Sequence, residues 1–469
     1  MVRKHKSIVA IYYLLICILI INIFLQNYNP FSGYNIADNI AMADRYIISN
    51  LFKYSNGEHD FYIGSPNYFP FNAMLTIALI KILPNINIVY TIHFISSLFV
   101  VSYFFLLARE VKEKTCHNTL TIFTYSGIFV LLFFQPWLWY ALDFKPDTLL
   151  LILFFILTKN LRKRNLFNYL LIFLLNLFCC LLKQQYLILF FGLFINLYFS
   201  SGNNKFIFFV LFSSSALAVL ILFFTPNLMD FTISLQSERK FQSVLSISNL
   251  FYTFLLGSWP VLFILLFHIK KKWQDVFSVK LLKSAYLPYI LWFIFSIFSA
   301  THVGGTIENL NTGLIVFLPI VIIEVLNFIN KLQDRFFINA SVVSFLFLMN
   351  IFQIGKSIKT SQDNFNLYKS INTFITNTQF KNPILYDGGM YTVLRDNNIN
   401  PTTDLNCVNH YSNSRKVLFF ENLIKKKYFK YLALSNKLDL NNKTEKLILL
   451  NYSLKKEFSN KYYHYYFYE

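Results

Sequence analysis

The sequence predicts an all-α polytopic membrane protein carrying a small C-terminal α/β domain, and three observations predict it. Hydrophobic residues make up 55% of the 469 positions and 55 of them are Phe, more apolar surface than a water-soluble core can hide. Apolar runs are separated by short loops in which Lys and Arg cluster, at 3–6, 109–114, 159–164 and 270–283, with a weaker group at Lys331 and Arg335. After Ile354 the composition changes, and charged and Asn-rich stretches alternate with short apolar runs. The net charge of +19 therefore reads as topology, because basic loops stay on the cytoplasmic side of a membrane. No nucleic-acid partner is expected; the first partner is the lipid bilayer.

In chain order, the run 8–26 follows Arg3, Lys4 and Lys6 and lacks a small-residue cleavage site after it, so it reads as a retained helix. Further apolar runs lie at 86–108, 119–140, 147–158, 166–182, 186–199, 206–224, 250–269, 285–300, 313–329 and 336–353, giving eleven spans in all. Several are shorter than the ~20 residues that a straight spanning helix needs. The segment 71–83 is shorter still before its Leu-Pro-Asn stop, and is placed as an interfacial or re-entrant helix of a first outer loop, 27–85. With that choice every basic cluster falls on the cytoplasmic side with the N-terminus. The loops holding Asp38, Asp143, Lys183 and Glu308, together with the region after 353, fall outside.

Two domains follow: a membrane domain over 1–353 and an extracytoplasmic α/β domain over 354–469. In the latter the runs Pro383 to Tyr386, Tyr431 to Leu434, Leu447 to Leu450 and Tyr462 to Tyr468 alternate with a helical pattern around Ser412 to Lys427. The five cysteines, Cys17, Cys116, Cys179, Cys180 and Cys407, lack metal-ligand spacing and lie mostly in or beside apolar runs. Neither disulfides nor a zinc site is expected.

In a chain with only 14% charged residues, the placement of carboxylates carries information. The first outer loop holds Asp38 and Asp44, on a stretch where Ile40, Ala43, Ile47, Ile48 and Leu51 recur at helical spacing, as in an amphipathic helix at the membrane surface. Asp38 also suits a plain N-cap. The same loop ends in Tyr68-Phe69-Pro70, which equally reads as a helix start. Asp143, Lys145 and Asp147 crowd the mouth of a later span, where unpaired charge would be costly in lipid, although Asp147 after Pro146 also complements a helix dipole. Lys183-Gln184 hinges two short spans and suits either a snorkelling cation or one facing a phosphate. Gly304-Gly305 frees the backbone to approach an anion, with Glu308 and Asn309 following as hydrogen-bonding groups.

At these residues the chain resembles the GT-C superfamily of integral membrane glycosyltransferases, which includes protein O-mannosyltransferases and aminoarabinose transferases. The resemblance covers roughly 1–353 as an ordered pattern. It consists of an acidic first outer loop, the aromatic-Pro at Tyr68 to Pro70, a Lys145-Pro146-Asp147 similar to the family's Arg-Pro-Asp, Lys183-Gln184, and Gly304-Gly305 with Asn309 before a span containing Pro319. It implies inverting transfer of a sugar from a polyprenyl-phosphate donor to a glycan, lipid or protein acceptor on the outer face of the cytoplasmic membrane. A first-loop Asp would be the general base, with Asp38 the better fit and Asp44 the alternative. The chain departs from the pattern in having Asp38-Asn39 where many members pair acidic residues, and a single Pro70. The resemblance leaves a divalent cation open.

The chemistry suits these residues. The acceptor hydroxyl loses a proton to a carboxylate as the lipid phosphate departs from an oxocarbenium-like centre, and Lys145 and Lys183 offer cations to that phosphate. A flippase, polymerase or transporter of lipid-linked glycans is the competing reading, and a transporter would favour polar groups at mid-span, where Glu324 is the main candidate. A membrane protein with a sensory outer domain is a third.

Overall fold

The computed structural model of the protein describes residues 14, 16–31, 34–49, 71–83, 87–115, 119–161, 163, 165–183, 186–200, 205–224, 241–271, 281, 286–302, 307–331, 335–381, 383–399, 403–405, 415–435, 437–438, 442–461 and 463–469. It divides into two compact units. One comprises Met1–Phe24, Ser96–Val219 and Lys240–Gly355; the other comprises Leu25–Ile95, Leu220–Arg239 and Lys356–Glu469.

The first unit is helical. Five described helices of the chain are long and apolar enough to cross a bilayer: Ile88–Lys114, Lys205–Phe223, Val244–Lys271, Ile307–Asn330 and Ala340–Thr378. Leu166–Leu182, Tyr186–Phe199 and Leu287–Ala300 are apolar but shorter. On Val244–Lys271 the side chains of Leu256, Trp259, Phe263 and Phe267 are all exposed, which is the surface expected of a helix whose solvent is hydrocarbon. The protein is thus a membrane protein. Proline breaks the expected 119–140 run: Thr119–Phe133 ends at Phe134, and Pro136, lacking an N–H, opens the separate helix Gln135–Leu142. A 3₁₀ turn at Ile315–Phe317 likewise precedes Pro319.

Between helices, small residues and one polar knot bring the backbones together. A Cβ on Gly192 would lie 2.6 Å from the Pro288 Cα, so Tyr186–Phe199 and Leu287–Ala300 touch almost backbone to backbone. Buried Asn176 donates to Leu211 O at 3.1 Å and to Ser214 Oγ at 2.8 Å, and accepts from the Tyr186 hydroxyl at 2.5 Å. That satisfied cluster ties Leu166–Leu182 to its two successors.

The second unit is built on a five-stranded sheet in the order β2-β1-β3-β5-β4. β1 (Ile384–Tyr386), β2 (Thr403–Asp404) and β3 (Tyr431–Leu434) are parallel, while β4 (Leu454–Ser459) and β5 (His464–Tyr468) form an antiparallel hairpin against β3. β1 is buried throughout and β3 nearly so, whereas β4 is a charged, exposed edge carrying Lys455, Lys456 and Glu457. Phe420, Ile424, Phe429, Leu432 and Ile448 form the core beneath the sheet. Leu447 to Leu450 lies on the helix Lys443–Asn451, not on a strand. Asn442 caps that helix by accepting from the Thr444 and Glu445 amides.

Two first-loop helices belong to the same unit. Phe71–Ile82 spans 12 residues, about 18 Å at 1.5 Å per residue, too short to cross a bilayer. Tyr34–Ser49 packs on it and on the turn Gly388–Met390 and helix Tyr391–Asp396. Its residues Ile36, Ala37, Ile40, Ala41, Met42 and Ala43 are all buried, so this part of the helix packs against protein, while the side chains of Ile47, Ile48 and Leu51, on which the membrane-surface reading also rested, lie outside the described residues.

Candidate functional site

In the helical unit, the helix Gln135–Leu142 stops at Asp143, whose amide closes the last turn on Trp139 O. Phe144 then takes a left-handed conformation, φ 56°, and buries its ring parallel to that of Phe99, centroids 6.3 Å apart. This reversal sets Lys145 as the extended N-cap residue and Pro146 as the start of helix Pro146–Asn160. Asp147 therefore falls in the first turn, buried, where its charge meets the helix dipole.

Lys183, the extended residue that ends Leu166–Leu182, reaches Asp147: Nζ to Oδ1 is 2.6 Å, and each side chain is 4% exposed. The ammonium also lies over the Trp292 ring, 6.0 Å from its centroid. Trp292 in turn donates from Nε1 to Thr312 O at 3.3 Å, and the Thr312 hydroxyl donates to Glu308 O at 2.8 Å. Two residues expected to face substrate thus form one buried ion pair, linked through an indole to the helix Ile307–Leu314 that carries Glu308 and Asn309 in its first turn. Three oxygens around this chain of contacts, Asp147 Oδ2, Thr148 Oγ1 and Glu308 Oε2, are buried without a hydrogen-bond partner among the described residues. Such groups are costly unless something else satisfies them.

In the other unit, Asp38 and Asp44 sit on one helix in different settings. The helix begins at Tyr34, so Asp38 lies a turn inside it, half-buried, and is not an N-cap. Asp44 is held in a fork. Arg395 donates from Nε to Oδ2 at 2.6 Å and from Nη2 to Oδ1 at 3.1 Å, and the Tyr391 hydroxyl donates to Oδ2 at 3.1 Å. Burial works against the Arg395 charge, but the hydrogen bond and field of Asp44 outweigh it, and the guanidinium pKa is raised.

No protein-family model matches the chain, and no curated protein matches it. Among solved structures, that of the Archaeoglobus fulgidus oligosaccharyltransferase in its apo form aligns with a TM-score of 0.50 at 11% identity, over 93% of this chain and 71% of that one. At the level of fold the two chains are alike. At 11% identity this likeness speaks for the fold alone.

Within that fold, Tyr68, Pro70, Gln184, Gly304 and Gly305 lie outside the described residues. The partners of the expected residues are groups the sequence reading passed over: Trp292 beside Lys183, and Tyr391 with Arg395 around Asp44. The last two are four apart on one short helix, a spacing that puts both on one face and would have flagged them. Among the described residues no three His, Cys, Asp or Glu side chains gather in one place.

Proposed function

We propose that the protein is a GT-C-type glycosyltransferase that moves a sugar from a polyprenyl-phosphate-linked donor to a cell-envelope glycan, lipid or protein acceptor on the outer face of the membrane, with inversion. The observation that carries this reading is the fold shared with an oligosaccharyltransferase over 93% of the chain. Asp38 is the general base. Asp44, held by Arg395 and Tyr391, is the alternative.

In the transfer, the acceptor O–H gives its proton to Asp38 while its oxygen bonds to the anomeric carbon. The bond from that carbon to the phosphate oxygen breaks on the opposite face, and the lipid phosphate leaves with the electron pair. Lys145 offers positive charge to the departing phosphate, and Asp147 holds Lys183 in place as a second cation. Tyr68, Pro70, Asp143, Gln184, Gly304, Gly305, Glu308 and Asn309 belong to the substrate-binding set in this reading.

The test is to incubate the purified protein in nanodiscs with a panel of radiolabelled polyprenyl-phosphate sugars and follow loss of label from the lipid. Consumption of one donor is expected. A panel left intact, in the presence of cell-envelope acceptor extract, would overturn the proposal.

A further inference from the structure

The second unit contains a cavity of about 730 Å³, inside the range of small-molecule sites, that none of the transfer chemistry uses. A face of the Arg335–Thr378 helix lines it, where Phe365, Asn366, Lys369 and Asn372 follow one another at helical spacing, together with Tyr90 at the start of Ile88–Lys114. Tyr90 and Phe365 have nearly parallel rings, 16° apart with centroids at 6.2 Å, and Tyr28 packs against both at 5.2 and 5.6 Å. The polar groups are held in position. Asn372 Oδ1 accepts from Asn397 Nδ2 at 2.9 Å, which fixes the orientation of its amide, and the Tyr368 hydroxyl donates to Asp396.

We infer that this cavity is a saccharide-binding subsite. Flat aromatic rings match the C–H face of a pyranose, and a side-chain amide, which both donates and accepts, matches the vicinal hydroxyls. The other ligand classes fit less well. Among the described residues a single lysine is too little charge for a polyphosphate and no carboxylate lines the walls to hold a cation, and the amide-rich wall would be desolvated without compensation by a lipid tail. Lys369, exposed at the edge, favours a sugar that bears a carboxylate. The site lies at the end of Ile88–Lys114 away from its basic cluster, the end that the charge pattern assigns to the outer face.

The inference needs no donor and is tested without one. The full-length protein in nanodiscs is titrated with maltotriose, cellotriose, chitotriose and trigalacturonic acid, and binding is followed by saturation-transfer NMR and calorimetry. Saturable binding of at least one is expected, weakened about 10-fold or more in Tyr90→Ala and in Asn366→Ala, whose site is exposed and tolerant, and retained in Tyr90→Trp, which keeps a ring in place. No saturable binding of any of the four, or equal affinity in all three variants, would overturn it. Because loss of donor label is measured separately, failure here leaves the transfer reading standing, and the reverse also holds.

Discussion

Lys183 and Asp147 show how much a single pair of residues can be asked to do. Taking two charges out of water costs several kcal/mol each, repaid only while both are present in good geometry, and here Nζ and Oδ1 are 2.6 Å apart with both side chains nearly sealed. Removing Lys183 leaves the Asp147 carboxylate buried without it. Lys183→Met alone is expected to destabilise the helical unit by about 3–5 kcal/mol, read as a large fall in the detergent-solubilised melting temperature, while adding Asp147→Leu to it regains most of the loss. If the pair also serves the transfer, the double variant melts near wild type and yet consumes no donor. The sequence marked both residues as charges too deep to be incidental. That they meet each other was not legible, because 36 positions separate them and nothing local encodes the approach. Asp44 is a similar case: its charge stood out, but its fork with Arg395 joins positions 351 apart.

At the scale of elements, the close approach of Tyr186–Phe199 and Leu287–Ala300 depends on Gly192 having no side chain. A methyl group there would meet the Pro288 backbone at 2.6 Å, and backbone, unlike the end of a flexible chain, yields only by moving a helix. Gly192→Ala is expected to cost about 1–3 kcal/mol and to lower the melting temperature, whereas Gly257→Ala, with nothing within 4 Å, is expected to be neutral or slightly stabilising. Most of the element pattern could be read in advance, since apolar runs between basic loops are a strong signal. Where reading failed, the causes are local. Pro136 split a run whose hydropathy was continuous, and Leu447 to Leu450 is a short apolar run that composition cannot assign to helix or strand. β4, with its Lys455-Lys456-Glu457, lacks the apolar alternation of a half-buried strand because it is an edge.

For the whole molecule, the mean hydropathy of +0.47, the spans and the sheet-bearing region after 354 all point to a membrane protein with an appended α/β region, and the shared fold with an oligosaccharyltransferase agrees. The sequence did not foresee that the first-loop helix Tyr34–Ser49 would pack on the Gly388–Met390 turn and the Tyr391–Asp396 helix. Its apolar face predicted a partner, and the bilayer was the obvious one. Asp38, the proposed general base, lies one turn inside that helix, and a base acts only within reach of the proton it takes.

The most direct measurement compares the rate of labelled-donor consumption by wild type, Asp38→Asn and Asp44→Asn, each confirmed folded by its melting curve. The account predicts a loss of about 10²–10⁴-fold for Asp38→Asn and a far smaller one for Asp44→Asn, whose main effect is on stability. An Asp38→Asn protein that turns over donor at the wild-type rate would contradict it.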